Sequence, residues 1–191
     1  MEEKEEYCPS NKQDWRKWLE KNHNNQESVW LIFYKKKSPK YNLSWSDSVD
    51  EALCFGWIDS VKKTIDNDRY KQYFTKRKVK SNWSKVNKDK VQLLIEQKLM
   101  RDAGFKSIEI AKENGSWTIL DEVEALIVPD DLNEEFKYYK GSKQYFDLLS
   151  KSSKKLLLYW VMSAKKKETR QKRIKEIAIN ASKNLKPKQF W

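Results

Sequence analysis

Hydrophobic positions near the start of the chain switch between helical and extended spacing. Trp15, Trp18 and Leu19 lie at i, i+3 and i+4, which predicts an amphipathic helix over residues 11–22. Residues 29–34 (VWLIFY) form a short apolar run rich in β-formers. Because the run is too short for a buried helix, it predicts a strand covered on both faces.

The next elements predict a helix followed by a β-hairpin. Ser44 or Ser46 supplies the N-cap of the helix, whose apolar residues share one face. Strands are predicted over residues 57–65 and 69–77, with the turn at residues 66–68. Together with the first strand, this hairpin predicts a small mixed sheet.

From Ser84 onward the apolar spacing is helical, apart from a less regular segment over residues 116–128. The fold class predicted is therefore α+β, a small mixed β-sheet with packed helices followed by an all-helical C-terminal unit. The domains predicted are residues 1–128 and 129–191. Helices are predicted in the second domain near residues 131–137, 142–149, 151–164 and 167–183.

Composition and charge narrow the function classes. The net charge is +12, from 40 Lys and Arg against 28 Asp and Glu. The cations are mostly lysines spread among acids, as on a solvated surface, and arginine, the better reader of phosphates and bases, is scarce. The clusters 76–80 and 165–173 are the candidate nucleic-acid contacts, but the distribution as a whole argues against that class.

The sequence signals of metal-binding, cofactor-binding, secreted and membrane-spanning proteins are also missing. Cys8 and Cys54 are far apart without metal-ligand spacing, and His23 is the only histidine. No cofactor, metal or catalytic motif is present, so neither a cofactor nor a metal is expected. The acidic first residues do not resemble a signal peptide, and no run is long enough to span a membrane. We expect a cytoplasmic protein.

Asp59 is the most distinctive candidate residue. Strand alternation places it on one face with Trp57 and Val61. A two-residue turn puts Lys76 opposite Asp59, whereas a three-residue turn puts Thr75 opposite, with Arg77 one pair away. The interpretations left open are a structural ion pair between the strands and a carboxylate that lines a pocket.

A basic segment with an adjoining helix start is the second candidate feature. Arg77 and its neighbouring lysines precede Ser81, Trp83 and Asn87, and the free N–H groups of a helix beginning near Ser84 attract anions. The serines are equally good N-caps, and Asn87 equally suits a loop contact. The predicted ligand-binding set is Trp57, Asp59, Arg77, Ser81, Trp83 and Asn87, and the partner expected is an unknown small anionic ligand or a protein.

Several strings also make the chain resemble the YdeI/OmpD-associated family, or bacteriocin-protection proteins. They are Trp30-Leu31, residues 51–59 (EALCFGWID), 81–87 (SNWSKVN), 100–104 (MRDAG), 111–117 (AKENGSW) and the helical region 129–183. The resemblance implies a role in bacterial tolerance of bacteriocins and cationic peptides. It implies no catalytic residue for any numbered position of this chain.

The hypothesis that follows is a cytosolic stress or bacteriocin-protection protein that binds a ligand without catalysis. Its pocket is expected between the hairpin and the next helix. An enzyme acting on a small anionic substrate, with Asp59 as acid or base, is the first alternative. Nucleic-acid binding is the second.

Overall fold

A computed structural model describes residues 5–190, which form two compact units, the first ending at Thr118 and the second beginning at Ile119. The predicted α+β class is confirmed, because a mixed sheet and helices make up the first unit and the second is helical. The predicted domain division after residue 128 stays a prediction; Val123 packs in the core of the second unit. Of the acidic first residues, 1–4 lie outside the described range.

The sheet of the first unit has the strand order β1-β2-β4-β3. Strand β1 runs parallel to β2, and the other neighbours are antiparallel. The chain returns from β3 to β4 by a tight hairpin, and β4 also pairs with β2, so β2 and β4 are the two inner strands. The strands are β1 Glu6–Tyr7, β2 Ser28–Tyr34, β3 Trp57–Thr64 and β4 Arg69–Lys76.

Side-chain caps fix the starts of three helices in the first unit. Asn11, Ser44 and Ser84 each accept a hydrogen bond from the backbone N–H three residues later, which satisfies a free N–H of the first turn. Ser44 is therefore the cap of the second helix. The helices are α1 Lys12–Asn22, α2 Trp45–Cys54, α3 Lys85–Glu96 and α4 Asp102–Glu113.

The core of the first unit lies on one face of the sheet. Val29, Leu31 and Phe33 of β2 are fully buried, but the alternate residues of this strand are only partly buried. The prediction that β2 is covered on both faces is therefore wrong. Trp15 of α1 packs edge-on against Phe74 of β4, which brings the helix onto the buried face.

The second unit is built from short helices around its own apolar core. Arg170 joins two of them through Nε and Nη2, which donate to the two carboxylate oxygens of Asp131 at 2.6 and 2.9 Å. Among residues 5–190, no helix is long and apolar enough to cross a membrane. The elements are α5 Asp121–Glu124, α6 Asp130–Lys137, α7 Ser142–Leu148, α8 Lys151–Met162, α9 Lys167–Ser182 and a final 3₁₀ turn, Lys188–Phe190.

Candidate functional site

The β3–β4 hairpin has the three-residue loop that was one of the two predicted alternatives. The Ile65 N–H donates to the Arg69 carbonyl at 3.1 Å, which leaves residues 66–68 as the loop. Inside it, Asp66 accepts hydrogen bonds from the N–H groups of Asp68 and Arg69. The carboxylate thus fixes the turn.

A β-bulge then shifts the register of this hairpin. Lys62 pairs with Gln72, but Asp59 pairs with Phe74, so two residues of β3 lie opposite the single residue Tyr73. Neither Thr75 nor Lys76 lies opposite Asp59. The predicted register is wrong beyond the bulge, because the extra residue moves every later pair by one position.

Asp59 is held by neutral donors. Its Oδ2 accepts hydrogen bonds from the indole N–H of Trp45 at 2.9 Å and from the side-chain amide of Gln72 at 3.1 Å. The predicted cross-strand cation at Lys76 instead pairs with Glu27, Nζ to Oε1, at 2.7 Å. The predicted ion pair with Lys76 is therefore wrong, although the Asp59 charge does act on Arg77, where it opposes the lowering of the pKa.

A cavity of about 190 Å³ lies elsewhere in the first unit, beside the point where β4 ends. The turn between α2 and β3, the segment after β4 and one face of α4 form most of its wall, and the end of α1 contributes His23. None of the lining residues belongs to α3, so this cavity does not coincide with the pocket predicted between the hairpin and that helix. Its lining residues are His23, Asn24, Phe55, Gly56, Trp57, Lys76, Arg77, Lys78, Val79, Trp83, Ala103, Lys106, Ser107 and Ile110.

Two glycines let the backbones around this cavity approach closely. Gly56 has φ +72°, and a Cβ there would lie 2.7 Å from the Ala103 carbonyl oxygen. A Cβ on Gly104 would lie 2.4 Å from the carbonyl oxygen of Cys54. Because any side chain would collide with backbone, glycine is required where the end of α2 meets the start of α4.

Arg77 is the electrostatic centre of the cavity. Its guanidinium carbon lies 3.8 Å from the ring centroid of Trp83, and its Nη1 donates to the Asn82 carbonyl at 3.0 Å. Nε and Nη2 are buried and have no hydrogen-bond partner among the described residues. Burial lowers the pKa of Arg77 to about 10, against the opposing influence of the Asp59 charge. The side chain is therefore a charged but poorly compensated group at neutral pH.

The charged residues of the lining are all cations. Lys76, Lys78 and Lys106 join Arg77, and no carboxylate belongs to the lining residues described. Lys76 is engaged with Glu27, whereas Lys78 and Lys106 are exposed at the rim. An adjoining depression of about 650 Å³ shares His23, Phe55 and Lys106 with the cavity and also includes Glu20, Arg101 and Asp102.

The structure brings together three of the six predicted ligand-binding residues. Trp57, Arg77 and Trp83 line the cavity, whereas Asp59, Ser81 and Asn87 do not. The Ser81 N–H donates to the Lys78 carbonyl, which closes a turn, and the Asn87 N–H donates to the Oγ of Ser84. Whether any of the six binds a ligand stays a prediction.

The sequence reasoning missed the contribution of α4. Ala103 and Gly104 are small residues at the start of a helix, a signal of close backbone approach. That signal indicates contact with another element but does not identify Lys106 or Ile110 as cavity residues. His23 lies at the end of α1, where its Nδ1 is 2.9 Å from the Leu19 carbonyl oxygen. Among residues 5–190, no cluster of three or more His, Cys, Asp or Glu side chains is arranged to hold a metal ion.

Comparisons with protein families divide the chain in two. Residues 7–107, more than half of the chain, match the family described as a domain of unknown function, DUF8412. Residues 125–184 match the family described as bacteriocin-protection, YdeI or OmpD-associated. The resemblance inferred from the sequence is therefore confirmed by the C-terminal region, while the EALCFGWID string and the cavity residues up to Ser107 fall in the first match.

No curated protein and no solved structure shows significant similarity to the chain. The chain belongs to the DUF8412 family of unknown function, and its C-terminal region is similar to the bacteriocin-protection, YdeI or OmpD-associated family.

Proposed function

We propose that the first unit binds a small anion without transforming it, and that this binding serves a bacteriocin-protection role in the bacterial cytoplasm. The observation that carries the anion proposal is Arg77, a guanidinium in a cavity wall with two buried, unpartnered nitrogens. The protective role rests on the family of the C-terminal region.

The contrast with Arg16 shows why Arg77 favours an anion. Arg16 donates through Nη1 to the buried Glu51 at 2.6 Å and through Nη2 to the Leu99 carbonyl at 2.8 Å. Its charge is thus compensated within the fold. Arg77 has a ring face and one carbonyl, which leaves a desolvated charge that an anion would stabilise.

The cavity has no assembled acid–base or nucleophile pair among its lining residues. Asp59, the proposed acid or base of the enzyme alternative, is not part of the wall. The Ser107 hydroxyl donates to the Gly104 carbonyl within its own helix. Binding is therefore the better supported activity.

Calorimetric titration of the purified protein with sodium phosphate, sulfate and acetate at low ionic strength tests the anion site. We expect saturable binding that weakens at least tenfold in Arg77→Met. Arg173→Met is the matched control, because the Arg173 guanidinium also lies over a tryptophan, Trp160, but donates to the Trp160 carbonyl and to Ser163 Oγ. Equal binding by the two variants, or none by the parent, would refute the site.

The protective role needs a separate test, because a chain of net charge +12 repels cationic peptides in bulk. We expect protection to act through the bound anion and not by sequestering the peptide. In bacteria that depend on this protein for bacteriocin survival, Arg77→Met should lose protection while Arg173→Met keeps it. Tight peptide binding that persists undiminished at low salt would contradict this indirect role.

A further inference from the structure

The free edge of Arg77 indicates which anion fits the cavity. The unpartnered nitrogens are Nε and Nη2, while Nη1 is occupied by the Asn82 carbonyl. In Arg170 the same pair, Nε and Nη2, holds both oxygens of the Asp131 carboxylate at 2.6 and 2.9 Å. The chain thus contains its own example of what that edge binds, a carboxylate held by two parallel hydrogen bonds.

The walls around Arg77 are mainly apolar. Trp57, Trp83 and Phe55 are at most 3% exposed and offer almost no surface to a ligand, so the apolar surface available is that of Val79 and Ile110. A bare inorganic ion would contact the guanidinium but would leave these side chains without a partner. An apolar group attached to the anion gains by removing that surface from water.

The cavity volume limits the size of the ligand. About 190 Å³ is the share of liquid volume of roughly six water molecules, and it is smaller than the pockets of about 300–1,000 Å³ that hold drug-sized ligands. At the packing density of protein interiors, a ligand filling it has roughly six to ten non-hydrogen atoms. Nucleotides and peptides exceed this size and would have to extend into the adjoining depression.

We propose that the ligand is a small monocarboxylic acid with an apolar body, its carboxylate on the Nε–Nη2 edge of Arg77 and its body against Val79 and Ile110. This inference rests on the proposed anion site and makes it more specific. Because the two nitrogens are shielded from water, the Arg77 side chain shifts to admit the carboxylate. Val79 at the rim is 59% exposed, which places the cavity within reach of solvent.

Titration with benzoate and hexanoate, compared with acetate, phosphate, phenyl phosphate and the neutral benzamide, tests this assignment. We expect benzoate or hexanoate to bind at least tenfold more tightly than acetate and benzamide. Arg77→Met should remove the preference for benzoate over benzamide. Arg77→Lys should also weaken the binding of benzoate, because an ammonium group cannot donate the two parallel hydrogen bonds of a guanidinium edge.

Ile110→Ala provides a second variant that leaves the charge intact. It should weaken the binding of benzoate about threefold or more and leave the affinity for acetate unchanged, because it removes only apolar surface from the cavity wall. If acetate or phosphate binds as tightly as benzoate, or phenyl phosphate more tightly, the carboxylic-acid assignment is overturned while the anion site stands. If no anion binds in an Arg77-dependent way, both proposals fail. Circular dichroism of each variant verifies the fold.

Discussion

Replacing Arg77 should leave the first unit nearly as stable as before, although Arg77 is a largely buried charged residue. Arg77→Met removes a guanidinium that the Asp59 charge compensates only partly and keeps an unbranched apolar side chain in its place. Arg16→Met makes the same chemical change at an arginine whose partner, Glu51, is only 3% exposed. Comparing the two variants therefore measures how much a nearby counter-charge contributes to the stability of a buried arginine.

The magnitude for Arg77 follows from its pKa. A shift from 12.5 to about 10 corresponds to about 3 kcal/mol of unfavourable free energy for the charged form in the folded state. The shift lowers stability at every pH below the folded pKa, because the side chain is charged there in both the folded and unfolded states. Arg77→Met removes this unfavourable free energy. Loss of the hydrogen bond to Asn82 and of the contact with Trp83 offsets most of the resulting increase in stability. We expect a net change within about 1 kcal/mol, toward higher stability.

Arg16→Met should instead lower the free energy of unfolding by about 3 kcal/mol, since it leaves Glu51 charged and buried. Lys12, whose Nζ lies 3.6 Å from Glu51, compensates only partly. Urea denaturation followed by tryptophan fluorescence is a suitable assay, because all the tryptophans except Trp160 and Trp191 precede Thr118. If both variants lose stability equally, Arg77 is not an uncompensated charge and the reasoning fails.

Three further outcomes are expected. Gly104→Ala should lower the free energy of unfolding, measured in urea, by about 2 kcal/mol or more. Gly115→Ala, at φ +78° with open space around it, should lower it by about 1 kcal/mol. Equal losses in the two variants would contradict the argument that Gly104 is required by close backbone contact. Asp59→Asn should strengthen acetate binding about twofold in calorimetry, because its charge repels an anion near the cavity; lost binding would restore Asp59 to the site. The Arg170 guanidinium lowers the pKa of Asp131, which stabilises the second unit above about pH 4 and is lost as pH falls through the folded pKa. Hydrogen exchange in α6 and α9 should therefore depend less on acid pH in Asp131→Asn; an unchanged profile would refute this contribution.

Local signals in the sequence predicted the elements well, because the interactions that form them are local. Ser44 and Ser84 were candidate caps, and each accepts the expected hydrogen bond from the third residue onward. The three-residue hairpin loop was one of two alternatives, and Asp66 decides it by binding two N–H groups within the turn. A contact between residues three positions apart depends on the residues of that short segment, and the local sequence therefore predicts it.

The β-bulge could not be predicted from local sequence signals. The stretch Ser60-Val61 contains no glycine or proline to mark an irregular pair, and strict alternation placed Lys63 on the face of Trp57. With one extra residue in β3, Lys63 instead lies over the ring of Trp30 on the face away from the core. A one-residue insertion changes the face of every later side chain, so an error at a single pair removed the predicted partner of Asp59.

The difference between Arg16 and Arg77 shows why the binding site itself could not be predicted. Both are arginines beside tryptophan-rich segments. The i,i+4 neighbour Glu20 gives Arg16 one local partner, Nε to Oε1 at 3.6 Å, but its closer partner is not local. Arg16 is neutralised by Glu51, 35 residues away, because α1 and α2 pack side by side. Arg77 meets the face of α4, which presents Lys106 and Ile110 and no acid to the cavity. Charge compensation is decided by which elements meet in the fold, and a buried cation that the fold leaves uncompensated is where an anionic ligand gains most.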